Sequence, residues 1–252
     1  SLPERQPSVA TVHREMNTEL ENILTSEIDP LVSTFITRVV DPENQTAIQI
    51  KDRNLERCLK EHFGLSENEP ITDKHMESLI VLDVSNQEIA DLSGMEHAKN
   101  IENFRFNNNR VSDLSPLGEL LNIKIIGADS NQISSLETLK DVPSLELLSL
   151  VNNGLTTLRR IAICTSLTHL WISRNQVPTL TELYNLHNLE MIEFNYNLVA
   201  DISPLKNHVN LERIYGAHNQ IRRLDDQLQF PKLSLLELGY NDFPYLNNVA
   251  QL

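Results

Sequence analysis

The chain has 252 residues, and its 21 Lys and Arg stand against 35 Asp and Glu, a formal net charge of −14. That balance argues against nucleic acid and anionic membrane as partners, because both are recognised through basic surfaces. No run of 18 apolar residues is present to span a bilayer, and two cysteines, Cys58 and Cys164, are too few for a disulfide framework.

In chain order, the opening residues SLPERQPSVA lead into no apolar stretch of the kind a signal peptide carries. Within 1–40, Val9, Val12, Met16, Leu20, Ile23 and Leu24 recur at three- and four-residue spacings and predict a helix. Asp29-Pro30 then predicts an N-cap with proline at the first helical position. Leu31, Val32, Phe35, Ile36 and Val39 form a second helical stripe. Two readings fit this segment: a helical pair packed on the N-terminal end of the repeat region, or a docking or coiled-coil helix for another domain.

Residues 41–78 read as a cap. Ile48 and Ile50 alternate and predict a short strand; Asn54 is placed to cap a helix through His62, with Leu55, Cys58, Leu59 and Phe63 on one face and Gly64 at its end. Thr72 is placed to cap a shorter helix leading to Met76 and Leu79.

From residue 79 to 252 a 22-residue pattern repeats without insertion, with units beginning at Leu79, Ile101, Ile123, Leu145, Leu167, Leu189, Leu211 and Leu233, the last incomplete. Position 4 is Leu82, Phe104, Ile126, Leu148, Leu170, Ile192, Ile214 and Leu236. Position 9 is Gln87 and then Asn in every unit: Asn109, Asn131, Asn153, Asn175, Asn197, Asn219 and Asn241. Position 11 is apolar throughout, from Ile89 to Phe243. This is the period of leucine-rich repeats.

Each column has its own physics. Positions 4 and 6 lie two apart and point to one side of a short strand, into the core, so positions 3, 5, 7 and 8 face out. Position 9 sits where the chain turns, and an Asn side chain offers both an acceptor and donors to turn backbone, so Asn153 is expected to be buried with its amide bonded there. Twenty-two residues leave no room for a long helix on the return, and Pro116 and Pro204 fit an extended or 3-10 path. The expected fold is an α/β solenoid: a right-handed curved stack of eight coils, a parallel β-sheet on its concave face, an extended or 3-10 convex side and a helical N-terminal cap. Leu252 falls at position 20 of the eighth unit, so that end is expected to be covered by a further domain or a partner.

The turn strings DLSGM (91–95), DLSPL (113–117) and DISPL (201–205), with the lead-in IQIKDRNLERCLKEHFG…PITDKHMESLIVLDVSN, resemble the internalin-like leucine-rich repeat proteins of bacterial surfaces over about residues 46–252. The resemblance implies a curved solenoid that binds another protein on its concave face, exported and often wall-anchored. The departures are specific. Gln87 replaces the first ladder Asn; Ser135, Thr157, Thr179, Arg223 and Tyr245 replace the position-13 Asp; Gln227 and His208 stand in apolar columns.

On the outward positions, the first four units carry small or polar residues such as Asp83, Asn107, Gly127, Ser149 and Asn152. The last four carry His169, Trp171, Arg174, Met191, Glu193, Tyr196, Arg213, Tyr215, His218 and Tyr240. Trp, Tyr and Arg clusters dominate interface energies, which makes this the expected ligand surface, for a protein or peptide rather than a nucleic acid. Its centre is expected at Trp171 and Tyr215, with Glu193 and Arg213 setting charge register. The alternative is that Trp171, the only tryptophan, merely covers the strands beside it.

No HExxH, CxxC, GxSxG or P-loop string is present, the eight histidines are dispersed, and Cys164 occupies a column otherwise filled by Val142 and Leu186. The expectation is a binding protein without enzyme activity, cofactor or metal, monomeric, at the bacterial surface or in its envelope. Two alternatives are an intracellular scaffold, resembling the 22-residue-repeat phosphatase regulators of eukaryotes, and the recognition part of a larger enzyme.

Overall fold

The structure, a computed structural model, describes residues 45–140 and 142–244. The two helices expected within 1–40, and the expectations for Tyr245 and Leu252, lie outside the described residues. Gln45–Leu252 forms one compact unit.

Its sheet has eight three-residue parallel strands in chain order: β1 (Val81–Asp83), β2 (Asn103–Arg105), β3 (Ile125–Gly127), β4 (Leu147–Ser149), β5 (His169–Trp171), β6 (Met191–Glu193), β7 (Arg213–Tyr215) and β8 (Leu235–Glu237). Every pairing has a register of one repeat, from Leu82 opposite Phe104 to Ile214 opposite Leu236. The sequence period is therefore the strand register itself. The return segments hold 3-10 turns at Met95–His97, Ser115–Leu117, Ile161–Ile163, Thr181–Leu183 and Ser203–Leu205, with Pro116 and Pro204 in the first turn of two of them. The chain has a leucine-rich repeat solenoid, as the columns predict.

Positions 4, 6 and 11 form the buried core from Leu82 to Ile221. Position 6 varies in size from coil to coil. The Phe104 and Phe106 rings meet at 4.9 Å and are followed by Ala128. Phe194 occupies the space beside Gly216, where any Cβ would overlap its ring. Large and small neighbours interdigitate along one column, so density is kept without a uniform residue.

The position-9 ladder works as its chemistry requires. Asn175 Oδ1 accepts from Leu155 N at 2.9 Å, one coil back, while its Nδ2 donates to the carbonyls of Leu150 and Ile172, each at 2.9 Å. Asn197 and Asn219 repeat the same set, as do the others with small variations. Asn109, Asn175, Asn197 and Asn219 are buried. Asn153, expected buried, is only half-buried, although its Oδ1 accepts from Ile133 N and its Nδ2 donates to Ala128 O. In the first unit Gln87 cannot reach two coils; its Nε2 donates to Ser85 O and its Oε1 accepts from Arg57. Asn109 compensates by accepting from both Gln87 N and Ile89 N.

The cap differs from expectation in two details. Helix α1 (Arg53–Phe63) is capped by Asp52, not Asn54: Asp52 Oδ1 accepts from Asn54 N and Leu55 N, and Gly64 ends the helix at φ 68°. The predicted Ile48–Ile50 strand is reduced to a single antiparallel bridge, Ala47 with Thr72. Helix α2 (Asp73–Glu77) starts at Thr72, as expected, with His75 completing a reciprocal capping box. Asp52 also fastens the cap to the solenoid, since its Oδ2 accepts from Ala90 N at 2.8 Å and Asp91 N at 3.3 Å.

Most position-13 departures keep the role of the Asp they replace. Asp113 and Asp201 accept from the N–H two residues on, and Ser135, Thr157 and Thr179 do the same through a hydroxyl. In the seventh coil the acceptor moves to Asp225, which receives Gln227 N. Gln227 is then exposed, and Leu228 fills the core beside it. His208 keeps its inward place, fully buried, with Nε2 3.0 Å from Leu183 O. Cys58 and Cys164 are free thiols.

Candidate functional site

The outward face of the sheet is set by strand alternation and, after each strand, by the turn. Residues at position 8 all adopt a left-handed backbone, with φ between 54° and 62° from Asn86 and Asn108 through Ser130, Asn152, Arg174, Tyr196 and His218 to Tyr240. The bend aims the next residue, the ladder Asn, back onto the carbonyls of positions 6 and 7. Left-handed backbone is tolerated by Asn and is costly for bulky residues. The first four coils use Asn or Ser there; the last four use Arg, Tyr, His and Tyr.

Those four residues stack. The Arg174 guanidinium carbon lies 4.8 Å from the Tyr196 ring centroid. Tyr196 and His218 are parallel within 10° at 4.1 Å, and His218 and Tyr240 within 7° at 4.2 Å. Ring separations follow the strand spacing of ~4.8 Å, so the solenoid brings four flat groups into one column. Arg174 is exposed, Tyr196 and His218 are half-exposed, and Tyr240 is 80% exposed.

The other residues expected on this surface are placed differently. His169, Met191 and Arg213 align at position 3, and Trp171, Glu193 and Tyr215 at position 5, in register across β5, β6 and β7. Trp171, Met191, Glu193 and Tyr215 are nevertheless buried, Trp171 at 3% exposure and Glu193 at 0%. The expectation of an accessible centre at Trp171 and Tyr215 is corrected accordingly. The indole points along the sheet, its Nε1 donating to Met191 Sδ at 3.2 Å, and Glu193 Oε1 accepts from Ser173 Oγ at 2.6 Å. His169 and Arg213 are half-exposed. The ladder asparagines are structural and lie behind this face.

Sequence reasoning missed position 7. Asn107, Asp129 and Asn195 each accept, through a side-chain oxygen, the N–H of position 7 in the next coil: Asp129, Val151 and Ala217. The signal was present as Asn or Asp two residues before the ladder Asn in three units. Glu237, at position 5 of the last strand, is half-buried; burial and the neighbouring Glu193 push its carboxyl pKa up, against a smaller opposing pull from His218. Burial pushes the Cys164 thiol up to about 12 and also raises that of Cys58, so neither is poised as a nucleophile. Among the described residues no group of three or more His, Cys, Asp or Glu is arranged to hold a metal ion, and no helix is long and apolar enough to cross a membrane.

A family model described as leucine-rich repeats (2 copies) matches residues 165–207. No curated protein matches the sequence. Among solved structures, internalin C2 of Listeria monocytogenes is similar with a TM-score of 0.77 at 22% identity, over 84% of this chain and 96% of that one. The functional domain of InlJ from the same species, described as including a cysteine ladder, matches at 0.63 and 19% identity, over 81% of this chain and 50% of that one. A leucine-rich repeat protein of Leptospira interrogans matches at 0.64 and 22%, over 69% and 46%. The chain thus has the leucine-rich repeat fold, a solenoid similar to that of internalin C2. Its own ladder is of asparagine.

Proposed function

We propose that this is a protein-binding module that takes a protein or peptide ligand on the outward face of its sheet, in an exported protein of a bacterial surface or envelope. The observation that carries the binding surface is the exposed column Arg174, Tyr196, His218 and Tyr240. Coils one to four make the same turn with Asn or Ser. Arg174, Tyr196 and Tyr240 accept backbone strain to hold large planar groups there, with His218, a residue that tolerates this backbone, between the two tyrosines, and strain kept without structural need marks a functional position. Arg and Tyr are also the side chains that interfaces favour. Buried Trp171 and Met191 lie on the same face and support the shape of this surface rather than form its contact; His169 and Arg213 extend it. No catalytic role, cofactor or metal is assigned. The bacterial surface setting rests on the likeness to the internalin solenoid and on the turn and cap strings.

The test uses a variant that keeps the fold. Tyr196→Asn/His218→Asn/Tyr240→Asn installs the residue the turn prefers. Affinity capture from candidate host and envelope extracts, followed by purified binding, is run with both proteins. A partner bound by the wild type at least tenfold more tightly than by the triple variant supports the surface. Equal affinity places the interface elsewhere. Labelling of intact against lysed source cells checks the location.

A further inference from the structure

We infer that coils five to seven of the column take an acidic, carboxylate-bearing segment of a protein partner, and take it on the edges of their rings. This rests on the reading of the column as a partner surface and names the chemistry that surface recognises. Both faces of the two central rings are already covered from within the chain. Tyr196 has the Arg174 guanidinium carbon 4.8 Å from its centroid on the coil before and His218 parallel to it at 4.1 Å on the coil after. His218 in turn lies between Tyr196 and Tyr240, the latter at 4.2 Å. No flat group can enter between rings so spaced. Arg174 is nevertheless exposed, and Tyr196 and His218 are half-exposed, so what a partner meets is a row of edges.

Those edges call for acceptors. The edge of an aromatic ring is the positive part of its quadrupole. It carries the Tyr196 hydroxyl and the His218 ring nitrogens, and Arg174 adds its guanidinium N–H groups. Among the described residues, none of these polar groups has a hydrogen bond or an ion pair. The charge beside them is arranged to match. On the sheet face of coils five to seven, His169, Arg174, Arg213 and His218 are at least half-exposed, whereas the one carboxylate of that face, Glu193, is 0% exposed. Glu190 and Glu212 precede the strands, at the opposite end from position 8. Glu237 enters only in the eighth coil, where it is half-buried. A chain of net charge −14 therefore presents a basic patch where the column stands. Charges further away than about 8 Å are largely screened at physiological salt, so the patch rather than the total decides what the column attracts. A carboxylate suits it, because its two oxygens accept from neighbouring donors and pair with a guanidinium fork.

The experiment uses the 252-residue protein and a dye-labelled octapeptide that alternates glutamate with serine, followed by fluorescence anisotropy. Two further octapeptides carry glutamine or lysine in place of glutamate. The expected result is saturable binding of the glutamate peptide, about tenfold tighter than the glutamine peptide and weakening as salt rises, with no binding of the lysine peptide. Arg174→Gln lowers that affinity about tenfold. Tyr196→Phe keeps the ring in the stack and removes only its hydroxyl, and lowers the affinity about threefold. No binding of the glutamate peptide, equal affinity for the glutamate and glutamine peptides, undiminished affinity in either variant, or tighter binding of an oligothymidylate overturns the inference. The outcome is separable from the binding surface as a whole. A partner lost on Tyr196→Asn/His218→Asn/Tyr240→Asn, yet bound equally by wild type, Arg174→Gln and Tyr196→Phe, keeps the surface and rejects edge recognition of carboxylates. Glutamate binding that depends on Arg174 and the Tyr196 hydroxyl, alongside a partner indifferent to the triple variant, keeps the carboxylate site and rejects the column as that partner's surface.

Discussion

Coils one to four and coils five to eight share one backbone and differ in what they carry on it. Both halves have the same strand register, the same ladder hydrogen bonds from Asn109 onward and the same left-handed position 8, at φ 62° and 55° for Asn86 and Asn108 and 55° and 56° for His218 and Tyr240. In the first half that position is filled by residues that suit the backbone. In the second it is filled by residues that suit each other and a partner. A repeat scaffold separates the two demands, because the Asn one residue later does the structural work in both halves.

If the halves are one scaffold, equal core truncations cost the same. Phe106→Ala in the second coil and Phe194→Ala in the sixth are each expected to destabilise by about 3–5 kcal/mol, measured by urea unfolding. A large gap between them would show that the halves do not unfold as one cooperative unit. Trp171 comes next. Its sequence position predicts that Trp171→Ala leaves folding nearly intact; its burial predicts a loss of about 1.5–3 kcal/mol. Asn175→Ala orphans Leu155 N and two carbonyls in a buried setting and should cost about 1–3 kcal/mol. The half-buried Asn153, changed to Ala, should fall at the low end of that range, and an Asn153→Ala loss above that of Asn175→Ala would break the link between burial and ladder strength.

These cases show what the sequence makes legible. Register is visible because a 22-residue period fixes which residues face each other on adjacent strands, and one slip would turn the core outward. The ladder is visible because only Asn supplies both hydrogen-bonding roles at that reach. The helix cap is less so: Asp52 and Asn54 are both good caps, and the choice is made by Ala90 and Asp91, distant in sequence, whose N–H groups also need the Asp52 carboxylate. The site residues are legible as a list but not as an arrangement. Pattern says that Trp171 and Tyr240 both point away from the core, yet one is 3% and the other 80% exposed. The difference lies in where each ring swings along the sheet, and no column encodes that. Nor does composition reveal that position 8 is left-handed, the fact that turns four unremarkable residues into a strained stack.

A buried histidine sets the next test, smaller in effect. Burial holds the His208 imidazole below its ordinary pKa, and nearby His187 works in the same direction; the hydrogen bonds at Leu183 and Leu205 oppose both without prevailing. Between the folded and unfolded values the unfolded chain binds a proton that the folded chain does not. The associated stability is therefore complete above about pH 6.5 and is lost as pH falls below it. His208→Leu, the residue at the same column in Leu120 and Leu186, should flatten this slope. An unchanged slope in the variant would assign the acid sensitivity to other groups, with the Asp52 latch the next to examine. Burial works to raise the Asp52 carboxyl, but the N–H groups of Ala90, Leu55, Asp91 and Asn54 outweigh it and hold the pKa low, so its contribution fades only as pH drops through the carboxylate range.

The smallest expected effect is the sharpest test of the opening comparison. Replacing Tyr240 by Asn relieves a left-handed backbone unfavourable to a bulky residue, a gain on the order of 1 kcal/mol. It removes a ring stacked on His218, a loss of about 0.5–1.5 kcal/mol. The two nearly cancel, so Tyr240→Asn should move stability by less than about 0.5 kcal/mol. The reciprocal change, Asn108→Tyr in the second coil, puts a ring where the neighbours at position 8 are Asn86 and Ser130, with no flat surface to meet. It incurs the strain without the stack and should destabilise by about 1 kcal/mol. If instead Tyr240→Asn costs as much as a core truncation, the column is a structural brace of the C-terminal coils. If Asn108→Tyr is neutral, position 8 exerts no selection, and the contrast between the halves loses its physical basis.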